Sequence, residues 1–307
     1  MTVPLDAGYA ALGSAAVVEL DRDVVRIAGP DAVSFLQGQL SQDVAALPVG
    51  ASAWTLLLQP QGRVDAWGRI TRRGGDEVLF DTDGGWGAVV LARLQRFKLR
   101  VKADLELLDW RCVAVRGPQA GERLAAASRG ADVVAAAAWP WVGGLDLLGP
   151  APVAPPELPI AGLDAYELRR IEAGLPRMGA ELTERTIPAE AGLVEVSASF
   201  TKGCYTGQEL VARIDSRGSH VARHLRGLWI DGPVPAPGAT LVVDGREQGT
   251  VTSSAFHPDG HAVALAYVHR DVDPTAALLC DGSPAGLVVL PAPADPAAVP
   301  AARFGRS

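Results

Sequence analysis

The sequence predicts an α+β fold that closes with an antiparallel β-barrel or sandwich. Strand-like and helix-like stretches follow one another without a regular βαβ alternation. Five short apolar runs, RGLWI, ATLVVD, QGTVTSSAF, AVALAYV and AGLVVL, recur at even spacing between Leu225 and Leu290, separated by Asp244-Gly245, Asp259-Gly260 and Asp281-Gly282. Upstream, residues 53–58 and 63–72 flank the turn Gln59-Pro60-Gln61-Gly62 and read as a β-hairpin.

The remaining elements follow in order. Residues 16–28 (AVVELDRDVVRIA) alternate and are rich in β-branched side chains, the pattern of one strand. Gly29-Pro30-Asp31 breaks it, and Asp31 is the expected N-cap of a helix running through Phe35 and Leu36 toward Leu40. Residues 77–82 (EVLFDT) are strand-like. Residues 86–97 (WGAVVLARLQRF) place Val90, Leu91, Leu94 and Phe97 on one helical face. Five prolines between Gly149 and Pro159 forbid a regular helix there, so this stretch reads as a linker. Residues 165–173 (AYELRRIEA) form a helix with Gly174 as its C-terminal stop. The Ala- and Pro-rich tail after Pro291 reads as frayed.

With 307 residues, 48% hydrophobic and 21% charged, the chain can bury a proper core. Its net charge of -7 argues against a general affinity for phosphate backbones, so no direct nucleic-acid partner is expected. Cys112, Cys204 and Cys280 are far apart and in no CxxC spacing. That disfavours a disulfide scaffold or a cysteine metal site and fits a reducing cytoplasm. The N-terminus lacks a basic n-region, and no apolar run is long enough to span a bilayer. The expectation is a soluble, cytoplasmic protein without a membrane partner.

The densest chemistry lies in Lys202-Gly203-Cys204-Tyr205-Thr206-Gly207-Gln208-Glu209. Cys204 sits where a loop meets a regular element. Lys202 and nearby amides would favour its thiolate, whereas the plainer reading is a small packed residue. His220 and His224 are near in sequence, but nothing places either ring beside the sulfur. Cys112 and Cys280 lie in apolar, strand-like surroundings and read as structural. In Ile187-Pro188-Ala189-Glu190-Ala191-Gly192, a carboxylate after a proline-fixed turn could accept two N–H donors from an amino-pyrimidine. It could equally be a solvated loop acid. Arg169, Arg170 and Arg177 could bind a carboxylated ligand, or pair with acids such as Glu172.

Three segments occur in the order and spacing of a known family: Arg170-Ile171-Glu172-Ala173-Gly174-Leu175-Pro176, Ile187 to Gly192, and Lys202 to Glu209. They resemble the YgfZ-type folate-binding proteins, relatives of the glycine-cleavage T-protein, an aminomethyltransferase. GPDAVSFLQGQLSQDV and QPQGRVDAWGRI look like the same branch, and the resemblance covers nearly the whole chain. It implies a three-lobed arrangement around a central channel that holds tetrahydrofolate or a one-carbon derivative, with no metal site. The implied regions are an N-terminal α+β folate-binding part (1–148), a second part carrying the signature (149–220) and the barrel (221–307). Glu190 matches the family's pterin-contacting glutamate, and Tyr205, Gln208 and Arg213 are expected beside it at the cofactor. The resemblance makes Cys204 and Lys202 the expected functional thiol and its cation; Gly203, Thr206, Gly207 and Glu209 complete the signature loop.

The implied role is support of iron–sulfur cluster assembly or repair, with assembly proteins or cluster-dependent client enzymes, including tRNA-modifying ones, as partners. The sulfur of Cys204 would be a transient cluster or iron ligand, a redox thiol or a one-carbon acceptor. One cysteine cannot hold a cluster alone. T-proteins carry an Asp-Asp pair after the hairpin turn, the second being catalytic; here the pair is Asp65-Ala66. Alanine relays no proton, so the resemblance implies folate binding without aminomethyl transfer. The alternative is a folate-dependent transferase or demethylase using another acid, with Asp65 the candidate. Strand alternation would place Asp65 and Ala66 on opposite faces.

Overall fold

The computed structural model describes residues 3–124, 130–140, 142–216 and 220–289. Helix α1 (Leu5–Leu12) leads into β1 (Ala16–Leu20) and β2 (Arg22–Ala28). Then come α2 (Ala32–Gln39), β3 (Ser52–Leu58), β4 (Val64–Arg72), β5 (Glu77–Asp83), α3 (Gly87–Phe97), β6 (Asp104–Leu108) and β7 (Arg111–Arg116). The middle of the chain holds α4 (Ala120–Leu124), β8 (Val133–Ala137), β9 (Gly144–Gly149) and α5 (Leu163–Glu172). A 3-10 turn (Pro188–Ala191), α6 (Val194–Ser197) and α7 (Gln208–Ser216) follow. Last are β10 (Arg223–Ile230), β11 (Thr240–Val243), β12 (Arg246–Phe256), β13 (Ala262–His269), β14 (Leu278–Cys280) and β15 (Ser283–Val289).

These strands form three bodies. A five-stranded antiparallel sheet runs β3-β4-β5-β2-β6, a four-stranded one runs β1-β7-β9-β8, and the last six strands close into a barrel ordered β10-β13-β12-β11-β14-β15. The expected barrel is therefore present, with β14 an added short strand. Helices α2 and α3 cover one face of the five-stranded sheet through Phe35, Leu36, Val90 and Leu94. Its other face meets the four-stranded sheet and α5 in a second core. The barrel docks on α5 through Leu168 and Ile171 against Leu225, Val263 and Leu265.

Three local readings change. Residues 16–28 are two strands in two sheets: β1 pairs with β7, and β2 pairs with β5 and β6. The chain crosses between sheets at Asp21, whose backbone carbonyl accepts the Gly84 N–H at 3.0 Å. Asp31 stands at the N-cap of α2 as expected, but its carboxylate accepts the Lys102 N–H at 2.8 Å instead of a helix N–H. The proline-rich stretch is no free linker. Pro159 C=O accepts from Val17 N–H, Ala161 N–H donates to Val17 C=O, both at 2.8 Å, and Leu158 is buried. Helix α5 ends at Gly174, whose left-handed φ of 66° suits glycine, with Leu175 N–H returning to Arg170 C=O. Leu290 and the tail beyond it lie outside the described residues. Among the described residues, no helix is long and apolar enough to cross a membrane.

Candidate functional site

Glu190 is placed by its own turn. Pro188 opens the 3-10 turn and Gly192 closes it at φ 70°. The carboxylate reaches back so that Oε2 accepts the Ile187 N–H at 3.3 Å, and the same oxygen accepts Arg223 Nη2 at 3.2 Å. Arg223 in turn lies over the Tyr267 ring, 4.3 Å from its centroid. Burial, with Glu190 second, raises the Tyr267 pKa, so its hydroxyl stays a donor and bonds Glu181 C=O at 3.0 Å. Glu190 forms part of the wall of a cavity of about 350 Å³ lined also by Trp139, Val194, Leu225 and Arg226. An apolar wall with few fixed polar groups is the usual build of a small-molecule site.

A second, central cavity of about 480 Å³ lies between the two sheets and α5. Trp139 lines both cavities and is held by its indole N–H on Ala173 C=O at 3.0 Å. Trp54 and Trp67 stack at 4.4 Å, and Trp139 meets Trp67 edge-on at 5.8 Å. Beneath them runs a buried charge network. Arg69 bonds Asp81 and Asp146, Arg116 bonds Asp146, and Arg22 bonds Asp81 and Asp83. Asp83 lines the cavity and accepts Met178 N–H at 2.9 Å; burial raises its pKa against the pull of Arg22. The sequence reading missed the three tryptophans and Asp83. They are scattered through strands and a loop, and no local spacing links them.

Arg170 is not a free ligand fork. Its guanidinium bonds Glu167, Leu175 C=O, Glu181 Oε2 and Ser253 Oγ. Glu181 also accepts from Thr252 and Ser253, tying this region to the barrel. Arg169 pairs with Glu172 at 3.5 Å and stacks on Tyr9, and Arg177 pairs with Glu167 at 3.2 Å.

The signature loop lies apart from both cavities. Cys204 is exposed and lines neither cavity, while Lys202 turns inward. The Lys202 ammonium donates to the carbonyls of Gln37, Leu40 and Gln42 at 2.7, 2.7 and 2.9 Å. All three donors are therefore engaged away from the thiol, so Lys202 is a clamp on the α2–β3 connection. Burial pushes its pKa down to about 8, opposed by Asp43. Thr206 N–H adds a bond to Gly38 C=O at 3.1 Å. Tyr205 is buried in the core, with burial raising its pKa to about 12, and Gln208 Oε1 caps its N–H at 3.3 Å. Tyr205, Gln208 and the exposed Arg213 line neither cavity. The loop packs outward on α2 and the β3–β4 turn, away from both cavities. Glu209 is exposed at the start of α7.

The two glycines flanking Cys204 differ. Gly207 has φ +82°, and a Cβ there would lie 2.6 Å from Gln59 O and 2.8 Å from Leu58 Cβ. Gly203 has open space. We expect Gly207→Ala to cost about 3 kcal/mol, from backbone strain plus overpacking, and Gly203→Ala to be near neutral. Thermal unfolding midpoints of both variants check this; equal midpoints would contradict the packing account.

Asp65 and Ala66 also depart from expectation. The register breaks between Leu57 and Leu58, which pair with Ala66 and Val64, so Asp65 is bulged out. Its carboxylate accepts Arg93 Nε of α3 at 2.9 Å, while Ala66 is buried with Ile70, Val90 and Leu94 under the same helix. The bulge defeats strict alternation, and neither residue lines either of the two cavities.

Comparison with known proteins fixes the family. Residues 19–146 match the GCVT N-terminal domain. An aminomethyltransferase of Saccharopolyspora erythraea is 30% identical, aligned over 87% of this chain and 83% of its own. The mouse protein named iron–sulfur cluster assembly factor IBA57, mitochondrial, is 30% identical over 77% of this chain and 74% of its own. The chain belongs to the T-protein-like family, of YgfZ type. A family member from Photobacterium profundum, named tRNA-modifying protein YgfZ, is 28% identical over 84% of each chain. The fold of the family is seen in the glycine cleavage system aminomethyltransferase T of Bartonella henselae, with a TM-score of 0.78 at 22% identity. That match covers 95% of this chain and 90% of the other.

Proposed function

We propose that this family member binds tetrahydrofolate, or a one-carbon derivative, and supports iron–sulfur cluster assembly or repair, and through it cluster-dependent enzymes such as tRNA-modifying ones. The observation that carries the reading is Glu190, a carboxylate fixed by its own turn in the wall of a largely apolar cavity. Ile187 and Arg223 both donate to Oε2, so Oε1 keeps acceptor sites for the N–H groups of an amino-pyrimidine. The relatives named for cluster assembly and tRNA modification support the biological role. Exposed Cys204 is then a thiol offered to a partner, an assembly protein or client enzyme, instead of a group facing the folate.

A second reading, a folate-dependent aminomethyl or methyl transferase or demethylase, is favoured by one observation. Asp83 presents a partly buried carboxylate with a raised pKa to the central cavity, which suits proton transfer better than Asp65, tied to Arg93.

Titration calorimetry with tetrahydrofolate should show binding that weakens about a hundredfold in Glu190→Ala, the loss of charge-assisted hydrogen bonds. No binding by the wild type would sink both readings. In cells lacking the protein, Cys204→Ala should fail to restore cluster-dependent enzyme activity while still binding folate; full restoration would remove the thiol from the account. Turnover of a methylamine donor with folate, abolished in Asp83→Asn, would favour the second reading.

A further inference from the structure

The end of helix α3 and the loop after it carry charge that the reading above does not use. Residues 84–103 hold no aspartate or glutamate, yet Arg93, Arg96, Lys98, Arg100 and Lys102 all lie within them. That stands out in a chain with 35 acids against 28 lysines and arginines. Arg93 pairs with Asp65 and lies over the Phe97 ring, 3.9 Å from its centroid. Among the described residues, Arg96, Lys98, Arg100 and Lys102 form no ion pair.

The backbone fixes how this loop faces water. Lys102 is pinned: its N–H donates to the Asp31 carboxylate at 2.8 Å, and its C=O accepts the Asp31 N–H at 3.2 Å. Val101 and Ala103 pack into the core that α2 and α3 cover. Alternation along an extended chain would send Leu99 in after them. Arg100 instead takes a left-handed φ of 61°, and Leu99 stands 85% exposed. A non-glycine residue adopts that conformation at a cost, and here the result is an apolar side chain left in water. Neither feature favours the free protein, so both point to a partner that covers Leu99. Phe97, two positions earlier, is 40% exposed. Lys98 and Lys102 both line a shallow cleft of about 300 Å³, with Gly29, Pro30, Val101 and Asp104.

We propose that the loop from Arg96 to Lys102 is a docking surface for an acidic segment of another protein, with carboxylates on both sides of an apolar side chain. One carboxylate enters the cleft between Lys98 and Lys102. Leu99 and Phe97 take the apolar residue, and Arg96 and Arg100 meet the flanking acids. An anionic membrane fits less well. Strand β6 follows directly, and a flat anionic surface would also have to face its exposed Asp104 and Glu106, which a narrow segment passes by. RNA fits less well too: Arg93 already covers one face of Phe97, and leucine offers a base neither a stack nor a hydrogen bond. The inference does not rest on the folate reading, since this loop lines neither the Glu190 cavity nor the central one.

The test is fluorescence anisotropy of the full chain with two labelled peptides. One carries glutamates on both sides of a Leu-Phe pair; the other carries the same number of glutamates alone. The first should bind about tenfold tighter, the worth of covering one exposed leucine. Both should weaken as salt rises from low to physiological. Leu99→Ser should erase the preference between the peptides. Lys98→Glu combined with Lys102→Glu should lower the affinity for both about tenfold, with thermal midpoints reporting that each variant folds. Leu99 can be changed without touching the core, so that variant decides alone if the double one unfolds. Equal binding of the two peptides by the wild type, no binding of either, or affinities unmoved by the substitutions overturns the proposal. Tighter binding to vesicles of one-third phosphatidylserine, or to a single-stranded oligouridylate, than to the Leu-Phe peptide also overturns it, because the loop would then serve a membrane or an RNA.

Discussion

Asp146→Ala is expected to destabilise the protein by about 3–5 kcal/mol, the usual consequence of stripping one partner from a buried ion network. Asp146 on β9 is 1% exposed and accepts Arg116 Nη2 at 2.6 Å and Arg69 Nη2 at 2.8 Å. Arg69 on β4 spans to the other sheet, because it also bonds Asp81 on β5 and the Ala136 carbonyl on β8. Removing the carboxylate leaves Arg116 with backbone carbonyls alone and weakens the joint between the two sheets that enclose the central cavity. A urea midpoint read by tryptophan fluorescence suits the test, since Trp54, Trp67 and Trp139 line that cavity. A variant within 1 kcal/mol of wild type, about the worth of a surface pair, would show that the network is dispensable.

The same network sets an acid limit. Burial alone would raise the Asp146 pKa, but Arg116, Arg69 and Arg22 overcome it and hold the carboxyl well below the usual range. A folded pKa below the unfolded one means that this contribution is full above about pH 4 and is lost as pH falls toward the folded value. The wild type should therefore lose stability with falling pH more steeply than Asp146→Asn in that window. Parallel slopes would place the acid sensitivity in other carboxylates.

What the sequence makes legible follows from periodicity. The β3–β4 hairpin and the barrel strands recur as short apolar runs between turns that carry Gly at positions with positive φ. The crossing at Asp21 is hidden because β-branched alternation continues through it on both sides. Nothing local says that β1 and β2 pair with strands of different sheets. The bulge at Asp65 is invisible for a related reason: it exists only relative to a partner strand. The turn that holds Glu190 is legible because Pro188 and Gly192 mark it in the sequence itself. The charge network was not, since Arg69, Asp81 and Asp146 are brought together by sheet packing across 77 residues of chain, from position 69 to 146. Lys202 and Cys204 show the limit most plainly. Two positions apart in a loop of no fixed period, they point in opposite directions, one into the protein and one out of it.

That divergence makes Lys202→Met the more disruptive change in the signature. We expect it to cost about 3 kcal/mol, because three carbonyl oxygens lose a charged donor and the buried ones among them find no water. Cys204→Ser, at an exposed position, should stay within about 0.5 kcal/mol of wild type. Lys202→Arg should recover only part of the loss: a planar fork cannot meet three carbonyls converging on one nitrogen at 2.7–2.9 Å. Hydrogen exchange separates the consequences. In Lys202→Met the amide of Thr206, bonded to Gly38 C=O, should lose protection as the loop lifts from α2, while the Glu190 turn keeps its own. If Thr206 stays protected in that variant, the clamp is not what docks the loop. If protection is lost and folate affinity is unchanged, the loop and the cavity are separate devices. Any loss of cluster support in Lys202→Met would then come from a thiol no longer presented in place, with the ligand site intact.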